Sequence, residues 1–454
     1  MKIVIVGLGK IGRTILASLV KEKHNVFAID TDPDVVEKVR SKYDVMALCA
    51  SGTEYDILNE AGVSKAELFI AVTGSDELNM LSCFAAKRMG AKYTVARIRD
   101  LENNDNSLDF MKSQLEISMA INPEKLSAEA MYNILQLPSA TKVETFSSNR
   151  LEMIEVLIKS DSPWAGLNLI ELRKKYKEKF LIGTVCRGDK VYIPNGTFNL
   201  QGGDRIGIIT SRNDTESLLS KMGIFGKAVK NVIILGAGIT SNYLAKMLIS
   251  DRRNVKLIDI DKTVCEEVCE ALSDAVTVIN GDGMSQDLLI EEGITTTDAF
   301  VALTGSDEEN ILVSFYAKAQ NVQKVIAKVN REELSNLAEN LGLDCMISPR
   351  KIVADVIVQY ARALENSIDS QIETLYSVMN GMAEAVEFKV LPDFKYAGIP
   401  LKEMKLVDGV LIAGITRGKE AIIPSGDDVI LSGDDVVVIV EGQRILSLTD
   451  IVKR

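Results

Sequence analysis

The stretch Lys2-Ile3-Val4-Ile5-Val6-Gly7-Leu8-Gly9-Lys10-Ile11-Gly12 decides the fold, and the chain repeats it as Asn231-Val232-Ile233-Ile234-Leu235-Gly236-Ala237-Gly238-Ile239-Thr240-Ser241. An unbroken apolar run reads as a buried strand, and the glycines behind it read as a tight turn into a helix. In such a unit the first glycine permits the turn. The second lets the backbone approach a pyrophosphate seated on the helix N-terminus, and the third allows close helix packing. Gly7, Gly9 and Gly12 fill all three places. Ser241 takes the third place in the second copy, where a small side chain is compatible with packing.

Working outward, Asp30 and Asp259 end the next apolar run of each copy, where a carboxylate accepts hydrogen bonds from ribose hydroxyls. The same charge repels a 2′-phosphate. This disfavours NADP and leaves NAD and ATP unseparated, since both carry an adenosine ribose. Aligning Gly7 with Gly236 sets Asp30 on Asp259, Asp32 on Asp261 and Gly52 on Gly281 without a gap. After a two-residue slip Thr73-Gly74-Ser75-Asp76 matches Thr304-Gly305-Ser306-Asp307, and Arg97 falls opposite Lys328. Thr73-Gly74 and Thr304-Gly305 end a strand at the carboxyl edge, where ligands of open sheets gather, while Ser75 and Ser306 are also placed to cap the next helix. Arg97, Lys328 and Lys10 are candidate phosphate contacts, or solvated cations.

Each copy alternates strands with helices. Ile3 to Val6, Val26 to Ile29, Val45 to Leu48, Leu68 to Val72 and Thr94 to Ile98 are the expected strands of the first, and alternation of this kind predicts a parallel sheet covered on both faces. The expected fold class is therefore α/β: two Rossmann-like parallel-sheet domains, residues 1–122 and 228–347. Connecting helices follow at 123–141 and 348–370, opened by Pro123 and Pro349. The stripe Ile352, Val353, Val356, Ile357 and Tyr360 suits packing on another unit. Residues 142–225 and 371–454 form a second repeated unit, a small α+β lobe. There a helix such as Leu167 to Tyr176 precedes strands split by turns such as Arg187-Gly188-Asp189. Ile193-Pro194-Asn195-Gly196 and Gly203-Asp204 match Ile423-Pro424-Ser425-Gly426 and Gly433-Asp434.

With 454 residues, several compact units are expected. A net charge of −12 opposes a nucleic-acid partner. The apolar runs fall short of the roughly 20 residues that span a bilayer, and Lys2-Ile3-Val4 runs straight into the glycine turn without a leader-like segment, so a cytoplasmic location is expected. The six cysteines are expected as free thiols. Cys265 and Cys269 lie one helical turn apart, but a lone pair with a single histidine in the chain gives no metal site.

An enzyme on this scaffold would need an acid-base group at the substrate. The one histidine, His24, is expected in an exposed loop at the amino ends of the strands, and the small lobes carry no nucleophile elbow or paired carboxylates. Asp427-Asp428 and Asp434-Asp435 read as turn and solvent-facing charges. Two cofactor folds without substrate chemistry predict a sensor in which ligand shifts a conformational equilibrium. The enzymatic alternative is an NAD-dependent oxidoreductase with a duplicated cofactor domain.

Gly7-Leu8-Gly9-Lys10-Ile11-Gly12, Asp30, Ala71-Val72-Thr73-Gly74-Ser75-Asp76 and Val95-Ala96-Arg97, with their second copies, resemble the tandem RCK domains of the TrkA family, regulatory subunits of bacterial Trk potassium-uptake systems. The resemblance covers essentially the whole chain. It implies a non-enzymatic homo-oligomer, peripheral at the inner face of the cell membrane under a potassium-translocating subunit, binding NAD or NADH, with ATP and ADP as further ligands. It also implies that Gly7 to Gly12, Asp30, Thr73, Gly74 and Arg97 hold nucleotide in the first lobe. Gly236, Ala237, Gly238, Ile239, Thr240, Asp259, Thr304, Gly305 and Lys328 match them in the second. Regulation of another cation transporter is the neighbouring alternative.

Overall fold

The computed structural model describes the chain apart from residues 100–104, 138, 147–149, 177, 189, 222–227, 273–274, 344, 367–371, 380–381, 443–444, 446 and 454. Asp189 of the expected Arg187-Gly188-Asp189 turn lies outside the described residues. The chain divides into two compact units, Met1–Ala128 with Ser348–Ala361, and Glu129–Ile347 with Arg362–Arg454.

The first unit is built on six strands, β1 (Lys2–Val6), β2 (Asn25–Asp30), β3 (Met46–Cys49), β4 (Leu68–Ala71), β5 (Tyr93–Arg97) and β6 (Met119–Ile121). Their order in the sheet is β3-β2-β1-β4-β5-β6 and every pairing is parallel. Reversal of strand order at β1 and β4 puts a crevice at their carboxyl ends, below the glycine turn. The helices α1 (Lys10–Lys21), α2 (Pro33–Lys42), α3 (Tyr55–Glu60), α4 (Asp76–Met89) and α5 (Asp105–Gln114) connect the strands, and α6 (Pro123–Gln136) follows. Parallel strands are covered on both faces, so Ile3, Val4 and Ile5 are all fully buried. β6 is too short to show a period and escapes sequence reading.

His24 is 7% exposed, not the exposed loop residue expected. Its amide donates to Leu19 O of α1, and it does lie at the amino end of β2, away from the crevice. The stripe after Pro349 packs on the first Rossmann-like lobe. Val353 and Ile357 are fully buried within one chain, and Tyr360 meets Tyr93 edge-on at 6.4 Å.

In the second unit β7 (Ala140–Phe146), β8 (Leu151–Leu157), β9 (Leu181–Arg187), β10 (Lys190–Tyr192) and β11 (Arg205–Ser211) form an antiparallel sheet in the order β10-β9-β11-β8-β7, with α7 (Leu169–Lys175) and α8 (Thr215–Lys221). The second Rossmann-like lobe follows: β12 (Asn231–Leu235), α9 (Ile239–Ser250), β13 (Asn254–Asp259), α10 (Lys262–Leu272), β14 (Thr277–Asn280), α11 (Gln286–Glu291), β15 (Ala299–Ala302), α12 (Asp307–Ala319), β16 (Lys324–Lys328), α13 (Glu332–Asn340) and β17 (Met346–Ile347). Its sheet order, β14-β13-β12-β15-β16-β17, copies the first. After α14 (Pro349–Asn366), the strands β18 (Ile372–Val378), β19 (Ala383–Lys389), β20 (Val410–Arg417), β21 (Glu420–Ile422) and β22 (Asp435–Glu441) repeat the small antiparallel sheet.

Strand pairing corrects one alignment. Asp30 lies beside Cys49 and Asp259 beside Asn280, so the two-residue slip falls before β3 and Gly52 corresponds to Gly283, not Gly281. The steric evidence agrees, because a Cβ on Gly52 would strike Val6 and one on Gly283 would strike Leu235, each the last residue of the strand before its glycine turn. The small lobes diverge at their helix. Asn168 caps α7 in a reciprocal box with Glu171, whereas the second lobe has Pro400 there and only the 3₁₀ turn Leu401–Glu403. Pro400–Arg417 is two residues shorter than Asn168–Arg187, leaving less chain for a helix.

The two small lobes share a core of Phe146, Leu151, Met153 and Ile209 with Val378, Met379, Ala385 and Ile439. Glu155 accepts the Met379 amide at 3.0 Å inside it. Asp434, expected to face solvent, is 1% exposed. Both its oxygens accept from Arg417, at 2.9 and 2.8 Å, and Asp204 holds Arg187 in the same way at 2.7 and 2.7 Å. A buried carboxylate survives because this fork pairs it, and removing one partner costs about 3–5 kcal/mol. Asp434→Ala should therefore lower the unfolding midpoint of the second unit by several degrees, whereas the exposed Asp427→Ala should leave it within error in a thermal melt.

Candidate functional site

Gly7 has φ of +94° and Gly236 +93°, a conformation that side chains resist, and at both an added Cβ would come within 3.0 Å of the backbone after β4 or β15. The chain therefore turns sharply from β1 into α1, and from β12 into α9. A Cβ on Gly12 would stand 1.9 Å from Gly7 O, so this glycine serves close packing. In the second lobe Ser241 occupies that place and its hydroxyl donates to Gly236 O, which converts the contact into a hydrogen bond.

Gly9 and Gly238 differ from these. A Cβ on either would meet nothing within 4 Å, and the same holds for Gly74 and Gly305 at the ends of the neighbouring strands. These four glycines border open space. α1 and α9 also start without a side-chain cap, whereas Ser75 caps α4 and Ser306 caps α12. Uncapped N–H groups at the head of a helix beside open space form a seat for an anion. A pyrophosphate fits these residues.

The acidic residues tie the turn down. Asp30 Oδ2 accepts the amide of Leu8 and its Oδ1 accepts that of Asp32 at 2.9 Å. Asp259 accepts Ala237 N at 2.7 Å and Asp261 N at 2.9 Å. Each carboxylate oxygen has a second lone pair, which leaves capacity for ribose hydroxyls. Loss of the carboxylate thus slackens the turn.

Sequence reasoning missed Asn79 and Asn310, both fully buried. Asn79 Oδ1 accepts from Thr73 N at 2.7 Å and from Thr73 Oγ1 at 2.8 Å, and its Nδ2 donates to Arg97 O at 2.9 Å. Asn310 accepts Thr304 N at 2.9 Å and donates to Lys328 O at 3.0 Å. Each asparagine locks the ends of two strands at the rim. Their signal was present in the repeated Thr-Gly-Ser-Asp pattern, three residues beyond its aspartate. Beside it, a hydrogen bond from Ser75 holds the Glu77 carboxyl below its usual range, and Arg331 does the same for Glu308.

The cations separate the two copies. Arg97 Nη2 lies 3.4 Å from Glu124 Oε1, and its Nε is buried with no acceptor among the described residues. Lys328 Nζ donates to Leu303 O at 3.0 Å. Lys10 is exposed at the head of α1, where α9 has Ile239. A groove of about 710 Å³ lies in the second small lobe beside Phe394, Lys395, Tyr396 and Val407 and includes none of these residues. Among the described residues no group of three or more His, Cys, Asp or Glu is placed to hold a metal ion, and no helix is long and apolar enough to cross a membrane.

The glycines make opposite predictions. Gly12→Ala should destabilise the first lobe by about 1–3 kcal/mol, in the range of an overpacked core, as read by denaturant unfolding. Gly9→Ala should fold normally and reduce nucleotide affinity at least tenfold in calorimetry, because its methyl occupies the open seat.

Family models for the TrkA-N domain match residues 3–123 and 232–349, and those for the TrkA-C domain match 153–223 and 385–453. The Trk system potassium uptake protein TrkA homolog of Archaeoglobus fulgidus is 34% identical over 99% of this chain and 100% of its own length. The Trk system potassium uptake protein TrkA of Vibrio alginolyticus is 29% identical over 98% and 97%. Among solved structures, the GsuK RCK domain superposes with a TM-score of 0.63 at 16% identity, over 97% of this chain and 92% of that one. The GsuK channel bound to NAD gives 0.63 at 17%, over 97% and 77%. These last two likenesses establish the fold. With all four lobes matched in tandem, the chain belongs to the TrkA family.

Proposed function

We propose that this chain is the cytoplasmic, nucleotide-binding regulatory subunit of a Trk-type potassium transport system, acting on a membrane potassium-translocating subunit without chemistry of its own. The observation that carries this reading is the pair of anion seats: two uncapped helices behind Gly9 and Gly238, each with a carboxylate at the next strand end. Full-length likeness to proteins named for Trk potassium uptake supports the transport role.

In this reading Gly7 to Gly12, Asp30, Thr73, Gly74 and Arg97 hold one nucleotide, and Gly236 to Thr240, Asp259, Thr304, Gly305 and Lys328 hold another. NAD or NADH is the proposed ligand, with ATP or ADP competing for the same seats through the shared adenosine. The subunit works as a homo-oligomer in which ligand favours one packing of the large lobes. A nucleotide with equal affinity for both packings would gate nothing.

Asp30→Ala should weaken NADH binding at the first site by about tenfold or more, the loss of one or two hydrogen bonds to a charged group. It should also cost roughly 1–2 kcal/mol of stability through the freed Leu8 amide. Calorimetry with NADH checks the first, and unchanged affinity would reject the assigned pose.

A further inference from the structure

The two glycine turns share a backbone and differ in charge. The first turn of α1 reads Lys10-Ile11-Gly12-Arg13, and that of α9 reads Ile239-Thr240-Ser241-Asn242. Lys10 and Arg13 stand three residues apart, on neighbouring positions of one helix face, and neither side chain makes a hydrogen bond or ion pair with the described residues. They add two unspent positive charges to the positive end of the helix dipole. In the second copy those places hold Ile239, 47% exposed, and Asn242, which is uncharged.

The remaining cation of each site sharpens the contrast. Arg97 is shared with Glu124 and still has a buried Nε without an acceptor among the described residues, so it retains a donor for an incoming oxygen. Lys328 has placed its ammonium on Leu303 O. An exposed isoleucine beside an anion seat gives nothing to a longer phosphate chain, which would stay in water there. Lys10 and Arg13 belong to the first turn of α1, so an anion seated there would feel both charges with little screening, the Debye length being about 8 Å at physiological ionic strength.

We infer that the two sites select by phosphate charge: the first, flanked by Lys10 and Arg13, favours nucleotides with a free di- or triphosphate chain. The second, with Ile239 and Asn242 in those places, favours the less charged diphosphate bridge of a dinucleotide. This rests on the nucleotide reading above and gives each site its own ligand class. One chain then senses two kinds of nucleotide at once, instead of one kind twice.

The test uses the full chain with one site closed at a time. Gly9→Glu closes the first and Gly238→Glu the second, since both positions have room for a side chain that would fill the seat and repel phosphate. Affinities for ATP and NADH are then measured by calorimetry at low and physiological salt. Each of the two cations is worth roughly a two- to fivefold change in affinity, so the ATP-to-NADH affinity ratio should be about tenfold higher at the first site, with the gap shrinking as salt rises. Lys10→Ile with Arg13→Asn should erase the gap, and Ile239→Lys with Asn242→Arg should carry the preference to the second site. Retained NADH binding with ratios that are equal at both sites, or unmoved by the exchanges, overturns this inference alone. Failure of both nucleotides to bind either closed variant, with circular dichroism unchanged, overturns the nucleotide reading beneath it.

Discussion

Everything at the two crevices depends on a carboxylate at one strand end holding the backbone of the adjoining glycine turn. Asp30 takes the Leu8 amide and Asp259 takes that of Ala237. A tight turn with positive φ leaves amides that no regular ladder satisfies, and a buried amide without an acceptor costs about 1–3 kcal/mol. By meeting that need the carboxylate fixes where α1 and α9 begin. Only then do their free N–H groups converge on one spot.

Around this fixed point the rim is held by a second device. Asn79 and Asn310 join the end of one strand to the end of the next, so Thr73 and Arg97, or Thr304 and Lys328, keep their places on the crevice edge. Neither asparagine reaches solvent, and neither repays its burial except through these bonds. The small lobes use a parallel logic, with Asp204 and Asp434 buried where an arginine fork meets both oxygens and the amide of Gln201 or Leu431 donates as well. Rigid seats and paired small lobes are what a sensor requires, since a ligand shifts a conformational balance only by fitting one arrangement better than another.

The strand-turn-helix units, the parallel sheets and the acidic strand ends were legible because each is written in local spacing: an apolar run, glycines at fixed offsets, an aspartate at the next strand end. What escaped was set by tertiary contact. His24 sits in a polar stretch yet is buried, and Asp434 looks like turn chemistry until Arg417 arrives from another strand. The stripe after Pro349 has the right period for packing, but period cannot say which unit it meets, and Tyr93 of the first lobe is found against Tyr360. Gly52 was misaligned because the slip between copies lies between Asp261 and β14, where sequence offers no landmark, and the pairing of Asn280 beside Asp259 reveals it.

The duplication is thus faithful in backbone and divergent in charge, a pattern that keeps two seats while allowing their ligands to differ. The central claim is that both glycine turns hold an adenine nucleotide and leave it unchanged. Equilibrium dialysis of the purified full chain against NADH, with the recovered ligand analysed by chromatography, tests it most directly. Saturable binding that reaches one intact nucleotide per glycine turn is the predicted result. No saturable binding, or recovery of NADH oxidised by the protein, would contradict it.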